Sequence, residues 1–369
     1  MSAATQSTMD LHFYPLRVLA VEPDTDEGVI VGFDVPAAWR ERFGFIQGQY
    51  LTLRARVDGQ EVRRSYSVCS AVDDAVLRIG VRKVRGGVFS NWIARSLRPG
   101  DTVDVMPPQG RFHVPIDPLA RRHYLGIAGG SGITPVLSIL KTTLEREALS
   151  RFTLLYGNRS LRSTMFKEEL LDLKSRYLSR FDVHYVFSDE PVESPLHQGV
   201  LDAQRIEDLL HALLPAHRID HAFVCGPYQM NDQAEAALLH AGVEAARIHV
   251  ERFGIPTGST ASAGAVMHHA ESADPPLARV RIVRDGISRV VEFRQGDPSI
   301  LDVAIAAGLD LPYSCTSGVC GTCRARVLQG SARMDRNFAL QPAELQAGFV
   351  LACQAHPLSE TVELSFDER

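Results

Sequence analysis

Four of the six cysteines of this 369-residue chain, Cys315, Cys320, Cys323 and Cys353, are spaced C-x4-C-x2-C-x29-C near its end. Three thiols at those intervals, with a fourth far downstream, suit a [2Fe–2S] cluster, which needs two thiolates on each iron. Gly318 and Gly321 permit the backbone angles that turn N–H groups toward bridging sulfurs. Structural zinc usually shows two C-x2-C pairs, whereas here one pair stands with two singletons. A fully reduced, metal-free set is the plain alternative.

Other stretches pair chemistry with backbone shape. In "RSYS" (64–67) Arg64 and Tyr66 share one face of a strand, setting a cation beside an aromatic ring. Alone, that describes many solvated strand faces. In "GGVFSNWIARSL" (86–97) two glycines, with Gly87 the second, precede Ser90, which is expected to open a short helix whose N–H groups favour a phosphate. "AGGSGITPVLSIL" (128–140) runs from a strand into a helix with Pro135 in its first turn. It departs from G-x-G-x-x-G, and a purely architectural turn would look similar. Cys225-Gly226-Pro227 ends a later strand, and Cys225 taken alone reads as a small core residue. His268 and His269 have no further ligand candidate beside them and read as solvated.

The elements that must position these residues fall into blocks. Residues 9–116 alternate apolar and polar in short runs between turns such as Asp58-Gly59, the pattern of an antiparallel barrel or sandwich. Over 117–254, apolar strands alternate with helical patterns, which implies a parallel sheet covered on both faces. Residues 255–277 are rich in Gly, Ala, Ser, Thr and Pro and read as a linker. In 278–369 a hairpin turns at Asp285-Gly286, and Ser299 caps a short helix that stops at Gly308. With 45 % hydrophobic residues each block can bury a core, and a net charge of −5 disfavours nucleic-acid binding. No apolar run reaches the roughly 18 residues of a membrane span, so no membrane role is expected. No secretory signal is visible, and the cysteine usage fits a reducing cytoplasm.

"RSYS", "GGVFS", "GGSGITP" and "CGP", in that order, resemble the ferredoxin–NADP reductase superfamily, and the cysteine pattern resembles an appended plant-type ferredoxin. The order flavin, nicotinamide, iron–sulfur is similar to the reductase components of multicomponent oxygenases. Through "YGNR", "HVERF" and "NFALQPAELQAGFVLACQAHP" the chain resembles the reductases of phenylacetyl-CoA epoxidases, with those of ketosteroid hydroxylases next; no ligand residue separates the two. The resemblance implies a multidomain fold: an antiparallel β-barrel FAD domain, an α/β parallel-sheet NAD(P) domain and an α+β (β-grasp) [2Fe–2S] ferredoxin domain. It also implies roles. Arg64 would meet the FAD pyrophosphate, Tyr66 would pack on the flavin and Ser67 would bond near its reactive edge, with Gly87 and Ser90 supporting the phosphates. Gly130, Ser131, Gly132 and Thr134 would form the nucleotide loop, with Cys225, Gly226 and Pro227 near the nicotinamide. Glu251 and Phe253 would reach the flavin edge, which makes Ser67, Cys225 and Glu251 the candidate catalytic residues. Arg159 is a candidate for the 2′-phosphate of NADPH, against a solvated arginine.

A nicotinamide gives two electrons together and an iron–sulfur cluster takes one, so a flavin between them matches the two. The expected path is NADPH to FAD to [2Fe–2S] to the subunits of a separate oxygenase, expected to be diiron. The alternatives are another oxygenase's reductase, such as that of an aromatic-ring dioxygenase, a simple flavin reductase, or a non-catalytic electron carrier that only docks a partner.

Overall fold

The first sheet closes on itself. A computed structural model describes residues 10–254 and 268–368. Strands β1 (Tyr14–Thr25), β2 (Gly28–Asp34), β3 (Tyr50–Val57), β4 (Gln60–Ser67), β5 (Leu77–Arg82) and β6 (Thr102–Gln109) pair antiparallel in the order β4-β3-β6-β1-β2-β5. The two edges meet where Val68, just past β4, bridges Ile79 of β5 and the Cys69 N–H donates to the Arg78 carbonyl at 2.9 Å. The barrel-or-sandwich choice therefore resolves to a barrel, filled by Leu16, Val31, Leu53, Ile79 and Val105. Helix α1 (Val88–Ser96) packs Phe89 and Ile93 onto that core.

Next come β7 (His123–Gly129), α2 (Ile133–Arg146), β8 (Arg151–Asn158), α3 (Lys167–Arg176), β9 (Phe181–Phe187), α4 (Ala203–Leu213), β10 (His221–Gly226), α5 (Tyr228–His240) and β11 (Ile248–Arg252). The strands form an all-parallel sheet in the order β11-β10-β7-β8-β9. The chain runs outward from β7 to β9 and then returns to β10 on the other side. The carboxyl ends of β7 and β10 thus flank the switch point, where open parallel sheets form a crevice.

The last block holds β12 (Leu277–Arg284), β13 (Ile287–Arg294), α6 (Ile300–Ala306), β14 (Arg324–Gln329), β15 (Ala332–Met334), α7 (Pro342–Gln346), β16 (Phe349–Leu351), β17 (Ala355–Pro357) and β18 (Thr361–Ser365). A mixed sheet in the order β13-β12-β18-β14-β16 curls over α6, whose N-cap Ser299 accepts the Asp302 N–H as expected. Contacts divide the described chain into Phe13–Phe253 and a second unit containing this last block, each compact in itself.

One reading is corrected. His268 is not a solvated linker histidine: its side chain is 11 % exposed and bonds Asp335 at 2.8 Å. Most of the preceding linker stretch lies outside the described residues.

Candidate functional site

At the switch point two glycine turns touch. A Cβ on Gly132 would lie 2.0 Å from the Cys225 carbonyl oxygen, and one on Gly129 2.7 Å from Pro227 Cδ. Only glycine allows that approach. Gly130, at φ +51°, turns the chain into α2, and its carbonyl accepts from the Tyr156 hydroxyl at 2.9 Å. Beyond the turns opens a cavity of about 510 Å³. Gly130, Ser131, Arg159 and Pro227 line it. Thr134 and Gly132 stand behind the wall instead: Thr134 is buried and its Oγ1 donates to the Ser131 carbonyl at 2.9 Å. Glu27 and Arg82 of the barrel also line the cavity, and no sequence signal marked them. Glu27 accepts from Arg159 at 2.7 Å and lies 3.5 Å from Arg82; bonding to Arg159 above all holds its carboxyl below the usual range. Two cations at the mouth of a glycine-walled cavity fit an anionic nucleotide.

Parallel pairing of β10 and β11 sets Cys225 opposite Glu251. Cys225 is fully buried in the core, and burial, with the Glu251 charge second, pushes its thiol far up. Glu251 Oε2 is buried without a hydrogen-bond partner among the described residues, and burial pushes the carboxyl up to about 8. The acid is therefore largely protonated at neutral pH, and a buried carboxyl oxygen left unpaired makes Glu251 a candidate functional residue. Phe253, two residues on, is exposed.

On the barrel, Arg64 is exposed and donates to the Arg63 carbonyl at 2.7 Å. Tyr66 stacks on Phe89 of α1 with centroids 6.1 Å apart, so β4 and the start of α1 share one surface. Ser67 closes β4 and is buried; among the described residues no hydrogen bond joins its hydroxyl to Cys225 or Glu251. Ser90 does not open the helix as expected. Gly87 is the N-cap, and the buried Ser90 Oγ accepts the Val84 N–H at 3.2 Å, bracing the loop before the helix. An arginine and an aromatic ring beside a helix start with no side-chain cap fit a flavin nucleotide.

The cysteine loop follows α6. Thr316, Gly318 and Gly321 take φ of +53°, +80° and +73°, and the N–H groups of Ser317 and Cys320 point at Cys315 Sγ at 3.5 and 3.4 Å. Contacts with Cys320 and Cys353, then these N–H groups, hold the Cys315 thiol well below the usual range. Cys353 comes from a separate turn, and the Gln354 amide approaches its sulfur at 3.7 Å. No disulfide ties up any of these thiols. Convergent thiols with amide donors aimed at sulfur fit an iron–sulfur cluster.

Family models match in the same order: an oxidoreductase FAD-binding domain over 24–114, an oxidoreductase NAD-binding domain over 127–236 and a 2Fe-2S iron-sulfur cluster binding domain over 282–358. The chain is 40 % identical over 357 residues to a component of the 1,2-phenylacetyl-CoA epoxidase of Escherichia coli, covering 97 % of this chain and 98 % of the relative. It is 33 % identical to the ferredoxin reductase component of 3-ketosteroid-9-alpha-monooxygenase from Rhodococcus rhodochrous, covering 95 % and 96 %. Among solved structures it resembles phthalate dioxygenase reductase, described as a modular structure for electron transfer from pyridine nucleotides to [2Fe-2S], at a TM-score of 0.58 and 25 % identity over 96 % of this chain and 98 % of that one.

Proposed function

The chain belongs to the FAD- and [2Fe–2S]-dependent reductase components of multicomponent oxygenases, and from that premise we propose that it carries electrons from NADPH to a diiron oxygenase, phenylacetyl-CoA 1,2-epoxidase. The observation carrying the choice of partner is 40 % identity running through all three domains, over 98 % of the length of the epoxidase component. When bound, FAD accepts electrons in pairs and releases them singly to the cluster.

The chain's own residues supply positioning and charge. The turns at Gly129–Gly132 and Cys225–Pro227 present backbone to the nucleotide, and Arg159 with Arg82 draws its phosphates to the cavity mouth. Arg64 offers a cation to the FAD pyrophosphate, and Tyr66, backed by Phe89, offers a ring to the flavin. Glu251 holds a proton on its carboxyl beside Cys225, whose neutral thiol adds no competing charge. Ser67 is the hydroxyl at the barrel's end of the same path. Cys315, Cys320, Cys323 and Cys353 hold the exit cluster. The free thiols fit a reducing cytoplasm.

NADPH preference rests on Arg159, which would exchange Glu27 for the 2′-phosphate. Arg159→Ala is expected to lower the NADPH to NADH ratio of kcat/KM by roughly 10-fold or more; an unchanged ratio removes Arg159 from that role. The partner is tested with the purified oxygenase subunits of phenylacetyl-CoA epoxidase and, in parallel, a ketosteroid hydroxylase. NADPH-driven product with the first and little with the second is expected. The reverse assigns the chain to steroid oxidation, and NADPH-dependent flavin turnover with neither leaves a simple flavin reductase.

A further inference from the structure

Where the described chain resumes, it enters a buried cluster of charges on the ferredoxin domain. Asp335, just past β15, receives His268 Nδ1 at 2.8 Å and His356 Nε2 of β17 at 2.9 Å on the same oxygen, Oδ2. Its other oxygen accepts from Arg333 at 2.5 Å. Arg333 is gripped in turn by Asp274 at 2.7 Å, with Glu271 3.4 Å away. The side chains of His268, Asp335 and His356 are 11 %, 12 % and 2 % exposed. The three facing atoms all lie within 4.8 Å of one another.

We propose that His268, Asp335 and His356 form a mononuclear site for a borderline divalent cation of the Zn²⁺ class, separate from the four cysteines. Two imidazole nitrogens and one carboxylate oxygen are a set that zinc takes at about 2.0–2.2 Å, with water in a fourth position. Atoms that now meet across hydrogen bonds need only spread slightly around such an ion, each ring moving its N–H proton to its other nitrogen. The charges match. Asp335, Asp274 and Glu271 against the one guanidinium of Arg333 leave two negative charges for a dication to balance. Arg333 on the second carboxylate oxygen fixes the orientation of Asp335, as outer partners of metal ligands do. A metal here would fasten the segment starting at His268 to β15 and β17, the latter two residues beyond the cluster ligand Cys353.

The test uses the full-length holoprotein, treated with a chelator that leaves its cluster iron in place, dialysed against micromolar Zn²⁺ and then analysed for zinc and iron together. One zinc per chain with iron unchanged is expected. His268→Ala and His356→Gln should weaken zinc binding by at least about 10-fold. His269→Ala, which alters the exposed neighbour, should bind as the parent does. Iron content and the visible spectrum of each variant check that its fold is kept. The proposal is overturned if the holoprotein takes up no zinc, if both variants retain it undiminished, or if uptake comes only with loss of iron. None of these results depends on electron transfer, so failure here leaves the reductase assignment standing.

Discussion

Glu251 is the buried titrating residue beside Cys225 in the proposed site. Its carboxyl sits at about 8 because burial disfavours the charge and no partner offsets it. The folded state therefore binds a proton that the unfolded chain releases at lower pH, and this contribution to stability declines as pH rises from the ordinary carboxylate range to about 8. The same titration should appear in flavin reduction by NADPH. We expect an apparent pKa near 8 in the stopped-flow rate, and Glu251→Gln should remove that inflection and lower the rate roughly 10- to 100-fold; an unaltered pH profile would remove Glu251 from the reaction. Gly132 makes a different kind of prediction. Alanine there would drive its Cβ into the Cys225 carbonyl, so the two turns must part. A loss of about 1–3 kcal/mol by denaturant midpoint is expected, with a raised KM for NADPH. The "GGSG" and "CGP" turns were legible in sequence as separate glycine signals, but their direct contact was not, since it arises only when β7 and β10 pair across the switch point.

At the scale of elements, period and turn chemistry showed most strands and helices, including α2, α3, α5 and α6. Helix α4 was not singled out, although Asp202 caps it by accepting the Arg205 N–H and Ile206, Leu209 and Leu210 form its buried stripe. Barrel closure could not be read from alternation, because it depends on one bridge between Val68 and Ile79. Ser90 was misplaced because a serine after glycines reads as a cap, while the chain reaches its helical turn at Gly87. His268 was misread because Asp335 and His356 are far away in sequence. Strand β11 carries an acid-sensitive group. His249 is pushed down to about 4 by burial and by His221, whose ring nitrogen lies 3.2 Å away. Its stability contribution is complete above the usual histidine range and is lost as pH falls toward about 4. Between pH 7 and pH 4.5 this loss opposes the gain from Glu251, so the difference from the parent is what reports it: the urea midpoint of His249→Phe, which keeps a ring against Phe223, should fall less over that interval than the parent's, or rise more. An equal change in variant and parent would assign the acid sensitivity elsewhere.

For the whole molecule, the domains follow one another as flavin barrel, nucleotide sheet and a cluster loop of four cysteines, so electrons enter at the middle domain, pass to the first and leave through the last. The cysteine spacing alone pointed to the cluster because ligand intervals are fixed by the cluster's size, whereas the oxygenase it serves left its trace only in overall similarity. Electrons must pass from the nicotinamide through the flavin to that cluster. Anaerobic titration with NADPH, followed by visible absorption and electron paramagnetic resonance, measures this directly. Complete reduction should consume about 1.5 equivalents, two electrons for the flavin and one for the cluster, with the resonance of a reduced [2Fe–2S] centre. Cys320→Ala should stop at about one equivalent with no such resonance. If the parent protein also stops at one equivalent, or if Cys320→Ala still delivers electrons to the oxygenase at the parental rate, the cluster is not the exit.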